Sequence, residues 1–167
     1  LLMPETSWMA KARTYVGQHE IAGARNNPLI LRWWSLIRAP FTNDSTPWCA
    51  GFVGGVLESV GIKSTRSAAA RSYLNWGQKL DGPVYGAIVV FERGPVNGHV
   101  SFVIGRDTRA NLMCLGGNQG DAVNVSPFPL HRVLGYRWPS EVAAPKVVGM
   151  GTLPTLLSRD QVSSNEA

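Results

Sequence analysis

Asp44-Ser45-Thr46-Pro47-Trp48-Cys49-Ala50-Gly51-Phe52-Val53-Gly54-Gly55-Val56-Leu57-Glu58-Ser59-Val60-Gly61 is the stretch on which the fold turns. Phe52, Val53, Val56, Leu57 and Val60 recur at spacings of three and four, the period of a helix with one apolar face. The helix is expected to begin near Trp48 and to end on Gly61, a residue suited to the left-handed C-terminal cap. Cys49 therefore falls in the first turn. A free cysteine is commonly a small buried hydrophobe. At a helix start, however, unpaired N–H groups and the positive end of the dipole favour thiolate over thiol. The same N–H groups are suited to an oxyanion. Cys49 is thus a candidate nucleophile.

Before this stretch the sequence reads as helix. Thr6 or Ser7 caps a segment from Trp8 to about Val16, closed by Gly17. Asn27-Pro28 opens a second, running through Leu31, Trp34 and Ile37 to Pro40. Ser67 to Trp76 forms a short fourth helix. Beyond it the pattern changes to strands at Ala87–Phe91, His99–Ile104, Leu112–Leu115 and Val133–Trp138. Arg93-Gly94-Pro95 and Asp107-Thr108-Arg109 supply turns between antiparallel neighbours. Helices first and strands second give an α+β fold, with the nucleophile helix packed on an antiparallel sheet of about four to six strands.

The chain of 167 residues is 44% hydrophobic, enough for one core. Charged residues at 16% are too few for a disordered chain. The domain is expected over residues 5–140. Small residues, glycines and prolines from Glu141 read as a linker or tail over 141–167. No apolar run has the length of a membrane span, so no stable membrane insertion is expected. Leu1-Leu2-Met3-Pro4-Glu5 lacks the basic and apolar parts of a secretory signal. The net charge of +5 favours a polyanionic partner such as nucleic acid, an anionic membrane or bacterial cell wall. Scattered basic residues without interleaved aromatics argue against nucleic acid. Two cysteines, Cys49 and Cys114, exclude a disulfide scaffold, and Cys49, His99 and Cys114 lack zinc-ligand spacing. No metal or cofactor is expected, and Cys114 reads as core.

A thiolate needs a base, and the base needs an orienting acceptor. His99 opens a strand after Asn97-Gly98, and Asn118 follows Gly116-Gly117. Each alone is ordinary: a histidine at a strand edge is usually structural, and an asparagine after two glycines usually turns the chain. Together Cys49, His99 and Asn118 supply nucleophile, base and orienter, with the last two at the ends of neighbouring strands.

The order Cys49, His99, Asn118 resembles the papain-like cysteine hydrolases, and more closely their CHAP and NlpC-type peptidoglycan hydrolases. The matching text runs through Trp8, Ala12, Gly17, Glu20, Gly23 and Asn27-Pro28-Leu29-Ile30, then Asp44 and Pro47-Trp48-Cys49-Ala50-Gly51-Phe52-Val53. It continues through Ala70-Arg71-Ser72-Tyr73, Trp76-Gly77, Gly86-Ala87-Ile88-Val89-Val90-Phe91 and Gly98-His99-Val100-Ser101-Phe102-Val103. Gly116-Gly117-Asn118-Gln119, Gly135-Tyr136-Arg137 and Pro139 complete it, so the resemblance covers residues 8–139.

The resemblance implies hydrolysis of peptide cross-links or stem amides in bacterial peptidoglycan, by an endopeptidase or an N-acetylmuramoyl-L-alanine amidase of the lysin kind. Cys49 would attack the carbonyl, His99 would move the proton, and Asn118 would hold the imidazole. The site of action would be the bacterial cell wall, with a monomer acting on stem peptides. Asn43 stands at the offset where papain-like enzymes place an oxyanion glutamine. Asp44 lies near an acidic position of this branch and suits a cap or loop brace. Glu20 is either a cleft residue or a helix-end cap, and Trp48 is a candidate cleft wall. One of Trp33 and Trp34 is expected in the core, the other free to stack on substrate. The chain departs from the pattern in having Trp48 before the cysteine, where a small polar residue is usual. It also has Asn118 where many members have histidine, and it lacks an acidic calcium loop. The bond cleaved therefore does not carry over. A thiol-dependent transferase or deamidase, and an idle wall-binding or phage structural module, are the rival readings.

Overall fold

A computed structural model describes residues 5–157. Its helices are α1 (Ser7–Arg13), α2 (Pro28–Leu36) and α3 (Cys49–Ser59). The strands are β1 (Gln78–Leu80), β2 (Ile88–Arg93), β3 (Asn97–Arg106), β4 (Leu112–Gly116), β5 (Asn124–Phe128) and β6 (Val133–Trp138). They form one antiparallel sheet in the order β1-β6-β2-β3-β4-β5. The expected α+β class, with the nucleophile helix on an antiparallel sheet, is what the chain adopts. None of the described helices is long and apolar enough to cross a membrane.

Local chemistry sets the helix starts. Thr6 Oγ1 accepts from the Met9 N–H at the start of α1, at 3.2 Å. Asn27 Oδ1 accepts from Leu29 N–H at 2.9 Å, with Pro28 in the first turn of α2. The first two helices end earlier than the apolar pattern suggests. The fourth expected helix is a 3₁₀ segment, Ala70–Asn75. Two strands escape sequence reading. β1 is only three residues long. β5 carries Pro127, which has no N–H to donate and is tolerated because β5 lies at the sheet edge.

Every residue of α3 from Cys49 to Leu57 is buried. On one side Phe52 meets Phe102 of β3 edge-to-face, with centroids 6.2 Å apart. On the other, the helix offers glycines to α2. A methyl group on Gly51 would stand 3.0 Å from the Trp34 ring, and one on Gly55 would stand 2.5–2.8 Å from the root of the Trp33 side chain. One on Gly54 would stand 2.5 Å from Ile37. Each glycine costs the helix about 1 kcal/mol relative to alanine. Burying an indole of about 200 Å² contributes roughly 5 kcal/mol at 25 cal/mol per Å². Two tryptophans laid against Gly51 and Gly55, with Ile37 against Gly54, therefore outweigh the loss. Trp33 and Trp34 are 1% and 0% exposed, so both are core and neither is free to stack on substrate.

The segment from Glu141, expected as linker or tail, folds back on the body as far as it is described. Gln78 Nε2 donates to the carbonyls of Pro139 and Val142. Arg106 N–H donates to Pro154 O at 2.9 Å, and Leu156 N–H donates to Arg106 O at 2.7 Å. Leu153 is buried beside this contact. Gly105 permits the approach, since a Cβ there would meet Pro154 O at 2.6 Å. Residues 158–167 lie outside the described residues.

Gly55→Ala is expected to lower the thermal midpoint. The gain of about 1 kcal/mol in helix propensity is opposed by overpacking of about 1–3 kcal/mol against a fixed indole root. Gly51→Ala meets only a ring edge and should cost less. Thermal unfolding followed by circular dichroism checks this order, and equal or reversed effects would refute the glycine-to-tryptophan account.

Candidate active site

Cys49 is the first residue of α3, and the preceding Trp48 makes no side-chain capping bond. The first backbone bond of the helix is Phe52 N–H to Trp48 O at 2.9 Å. The N–H groups of the first turn thus lie before the helical ladder begins, beside the sulfur. Cys49 is 4% exposed and His99 is 0% exposed. His99 stands on β3 directly across from Phe91 of β2. Its ring lies parallel to Phe91 and Phe128, at centroid distances of 6.3 and 5.2 Å. The two phenyl rings stack on each other at 4.6 Å. Arg132 sits 5.9 Å from both phenyl centroids and donates to Glu92 O. The imidazole is therefore held edge-on to the nucleophile by a stack that leaves it little rotational freedom.

The acceptor at His99 Nε2 is Gln119 Oε1, at 2.9 Å. The contact expected of Asn118 is made by its neighbour. The register explains why. Phe102 pairs with Leu115, which extrapolates to Asn118 opposite His99. However, β4 ends at Gly116, and Asn118 adopts a left-handed backbone with φ of 55°. That turn takes Asn118 off the strand. The longer Gln119 side chain then reaches back over Gly116 to Ser101 and His99. A Cβ on Gly116 would stand 2.3 Å from both Gln119 Oε1 and Ser101 Oγ, so only glycine leaves this path open.

The orientation of the Gln119 amide follows from its partners. Its Nε2 donates to the carbonyls of Cys114 at 3.3 Å and Asn124 at 2.9 Å, groups that only accept. It also donates to Asn124 Oδ1 at 2.9 Å, while Asn124 Nδ2 donates to Gln119 O at 2.7 Å. Ser126 Oγ donates to the same Asn124 Oδ1. With Nε2 committed to carbonyls, Oε1 must face the imidazole, and Ser101 Oγ donates to it as well at 3.0 Å. Since Oε1 only accepts, His99 Nε2 carries the proton. In the neutral ring Nδ1 is then the basic nitrogen, the form needed to take a proton from Cys49. Sequence reasoning missed Gln119. The signal available was the Gly116-Gly117 pair, which marks where the strand stops and a longer side chain must bridge.

Burial alone would push the Cys49 thiol up. The hydrogen bond and charge of His99, the Val100 N–H and the Arg93 guanidinium outweigh it and hold the thiol below its ordinary value. Cys114 shows the contrast: buried without such partners, its thiol is pushed well up. The two cysteines are not joined.

The other candidate residues serve as braces. Trp48, expected as a cleft wall, is 0% exposed and packs on Trp33 at 5.7 Å. Its indole N–H donates to Glu20 Oε1 at 2.8 Å, so Glu20 anchors the core tryptophan rather than facing substrate. Burial pushes the Glu20 carboxyl up, the indole N–H opposes this, and Asp121 and Asp44 add to the rise. Asp44 Oδ2 accepts from the N–H groups of Ile21 and Asn27, at 2.8 and 2.9 Å, tying two loops together. Asn43 Oδ1 accepts from the backbone and hydroxyl groups of Ser45 and Thr46, which fixes the turn before the nucleophile. It serves the loop rather than an oxyanion.

Alkylation of Cys49 is expected to titrate with a midpoint below the ordinary thiol value of about 8.5. Because the folded value is depressed, reactivity extends to lower pH than for an ordinary thiol and is lost as pH falls through the folded value. His99→Ala should move the midpoint up, since burial is then less opposed. Gln119→Ala should lower turnover about 10- to 100-fold, and leaves buried carbonyls unmet at a cost of about 1–3 kcal/mol. Asn118→Ala should retain turnover, with a smaller loss of stability from its left-handed backbone. The reverse ranking of the two variants would overturn the assignment of Gln119.

Compared with known proteins, the chain matches no protein-family model, and no curated protein matches it.

Proposed function

We propose that the chain is a cysteine hydrolase that cleaves amide bonds in the peptide part of bacterial peptidoglycan, as a papain-like lysin of endopeptidase or N-acetylmuramoyl-L-alanine amidase type. The observation that carries the hydrolase reading is the aligned series Cys49, His99, Gln119. Here a thiol held below its ordinary value meets a histidine whose far nitrogen is tied to a fixed acceptor. The resemblance of residues 8–139 to CHAP and NlpC-type enzymes supplies the substrate class. The basic balance of the chain suits an anionic wall.

His99 Nδ1 takes the thiol proton, and the Cys49 sulfur attacks the amide carbonyl carbon. The resulting oxyanion lies against the N–H groups opening α3, which develop their full strength only as charge appears on oxygen. Collapse of the intermediate breaks the C–N bond. The imidazolium gives its proton to the departing nitrogen, leaving a thioester and a free amine. Water then attacks the thioester, with His99 again accepting the proton, and the sulfur leaves as thiolate. Throughout, Gln119 Oε1 holds the Nε2–H and stabilises the imidazolium as a neutral dipole.

Purified sacculi from both Gram types, digested with the wild-type chain and with Cys49→Ala, test the reading. New amino termini, identified by mass spectrometry, are expected with the wild type only. Free stem peptides would define an amidase, and split stems or cross-links an endopeptidase. No release from any wall would refute the peptidoglycan assignment in favour of transfer chemistry or a binding module. Release by both proteins would remove Cys49 as nucleophile.

A further inference from the structure

We infer that Glu58, in the last turn of α3, is a positioning residue that holds one wall of the cleft beside Cys49, Ala68 to Ala70, in place against the substrate. The inference deepens the hydrolase reading and rests on it for the identity of the substrate, though not for the way the wall is held.

The wall has no ladder of its own. Residues 62–69 form neither helix nor strand, yet they bring Ala68 and Ala69 to the cleft, and Ala70 opens the 3₁₀ segment that follows. Such a loop keeps one shape only where its polar groups find fixed partners. Glu58 supplies them. Its Oε2 accepts from the Ser64 N–H at 3.0 Å and from the Ser64 hydroxyl at 2.9 Å. Arg66 donates through Nε to Oε2 and through Nη2 to Oε1, each at 3.3 Å. The Arg66 N–H donates in turn to Ser64 Oγ at 3.0 Å.

Two features set this clasp apart from a surface ion pair. Arg66 has a left-handed backbone, φ 52°, which a residue with a Cβ keeps only where its surroundings impose it. A carboxylate in the last turn of a helix also faces the negative end of the dipole, so Glu58 is ill placed for α3 and well placed for the loop. Its side chain is 13% exposed, which shields these bonds from water. Further along, Ser72 Oγ donates to Thr65 Oγ1 at 2.7 Å and Trp76 Nε1 donates to Lys63 O at 2.9 Å. The wall then meets the strand of the base, since a Cβ on Gly98 would stand 3.6 Å from Ala70 Cβ. One helix thereby carries the nucleophile at its start and the anchor of the cleft wall at its end.

Burial alone would push the Glu58 carboxyl up. The Arg66 guanidinium and the N–H and hydroxyl of Ser64 outweigh it and hold the carboxyl below its ordinary value. Tyr73 of the 3₁₀ segment also faces Glu58, and burial pushes its hydroxyl up and keeps it neutral. With the folded value of Glu58 depressed, the clasp is complete above the ordinary carboxylate range and is lost as pH falls through the folded value.

The test reads the wall and the cleft separately. Amide hydrogen exchange over residues 62–70, corrected for the pH dependence of the free peptide, should show wild-type protection falling as pH falls through the Glu58 value, while α3 and β3 stay protected. In Glu58→Gln the wall should be less protected throughout and indifferent to that range of pH. The wild-type arm stands even if Glu58→Gln folds poorly. The cleft is probed with acetyl-alanyl chloromethyl ketone, which alkylates Cys49 and sets a small apolar side chain beside the alanine methyls. Glu58→Gln should raise its half-saturating concentration about tenfold and change its limiting rate less than about twofold, with Glu58→Asp between. Iodoacetamide, which carries no such side chain, should alkylate Cys49 in both proteins at similar rates. Wild-type wall protection indifferent to pH, an unchanged half-saturating concentration in the variant, or a loss confined to the limiting rate overturns the inference even where sacculi are digested. Both readouts moving as expected while no sacculus is cut sustains Glu58 as the anchor of the wall and refutes peptidoglycan as the substrate.

Discussion

A side-chain amide presents two ends of nearly equal size, and the chemistry at Cys49 depends on which end of Gln119 meets His99. The carbonyls of Cys114 and Asn124 decide it, because they accept and cannot donate. The amide of Asn124 is fixed by the same logic through the carbonyl of Gln119. From three backbone oxygens the constraint passes through two amides to one imidazole proton. Burial gives the chain its force. In water any of these groups would exchange partners freely, whereas here an inverted Gln119 would set its carbonyl oxygen against the carbonyl oxygens of Cys114 and Asn124, acceptor against acceptor, at a cost typical of unmet buried groups. The tautomer of the base is thus a property of the fold.

That network demands close approach, and glycines provide it on both sides of the nucleophile. Gly116 leaves the path by which Gln119 reaches Ser101, and Gly117 lets the end of β4 lie on Phe52 and Trp48 of the nucleophile helix region. Gly51, Gly54 and Gly55 draw α2 onto the opposite face. The helix carrying Cys49 is consequently clamped between aromatic layers, with Trp33 and Trp34 on one side and Phe102 on the other. Trp48 belongs to this packing. Its indole N–H is satisfied by Glu20, so a bulky residue can occupy the position without leaving a buried donor unmet.

The fold class was legible because its signals are periodic. The helix spacing around Cys49, the β-branched runs after Gly86 and the glycine-proline turns agree with one another, and together they specify the sheet. Short or proline-bearing edge strands carry no such period, and β1 and β5 were invisible for that reason. At the site, Cys49 and His99, the proposed nucleophile and base, were picked out from residue type and order. The orienter was misplaced by one residue. Strand parity extends smoothly to Asn118, and nothing in a linear reading shows that the backbone turns left-handed there. The braces were equally opaque. Asn43, Asp44 and Glu20 have the residue types of catalytic groups, and only their partners, Ser45, Ile21 and Trp48 among them, reveal that they hold loops and core in place.

The burial of the site also bears on the fate of the thioester. His99 has no solvent exposure and Cys49 has 4%, and among the described residues a cleft lined also by Pro47, Ala70 and Gly98 opens beside Cys49. On the proposed mechanism, the group that occupies that cleft and the water that must later enter it compete for one space. A substrate portion that stays in the cleft after the first bond breaks would shield the thioester from water and from any larger acceptor alike. A portion that leaves with the amine would admit water and favour hydrolysis. The balance between a long-lived thioester and prompt hydrolysis therefore rests on which side of the scissile bond the cleft retains. Hydrolysis is prompt when the cleft holds the leaving side, because its departure then clears the approach to a deeply buried sulfur.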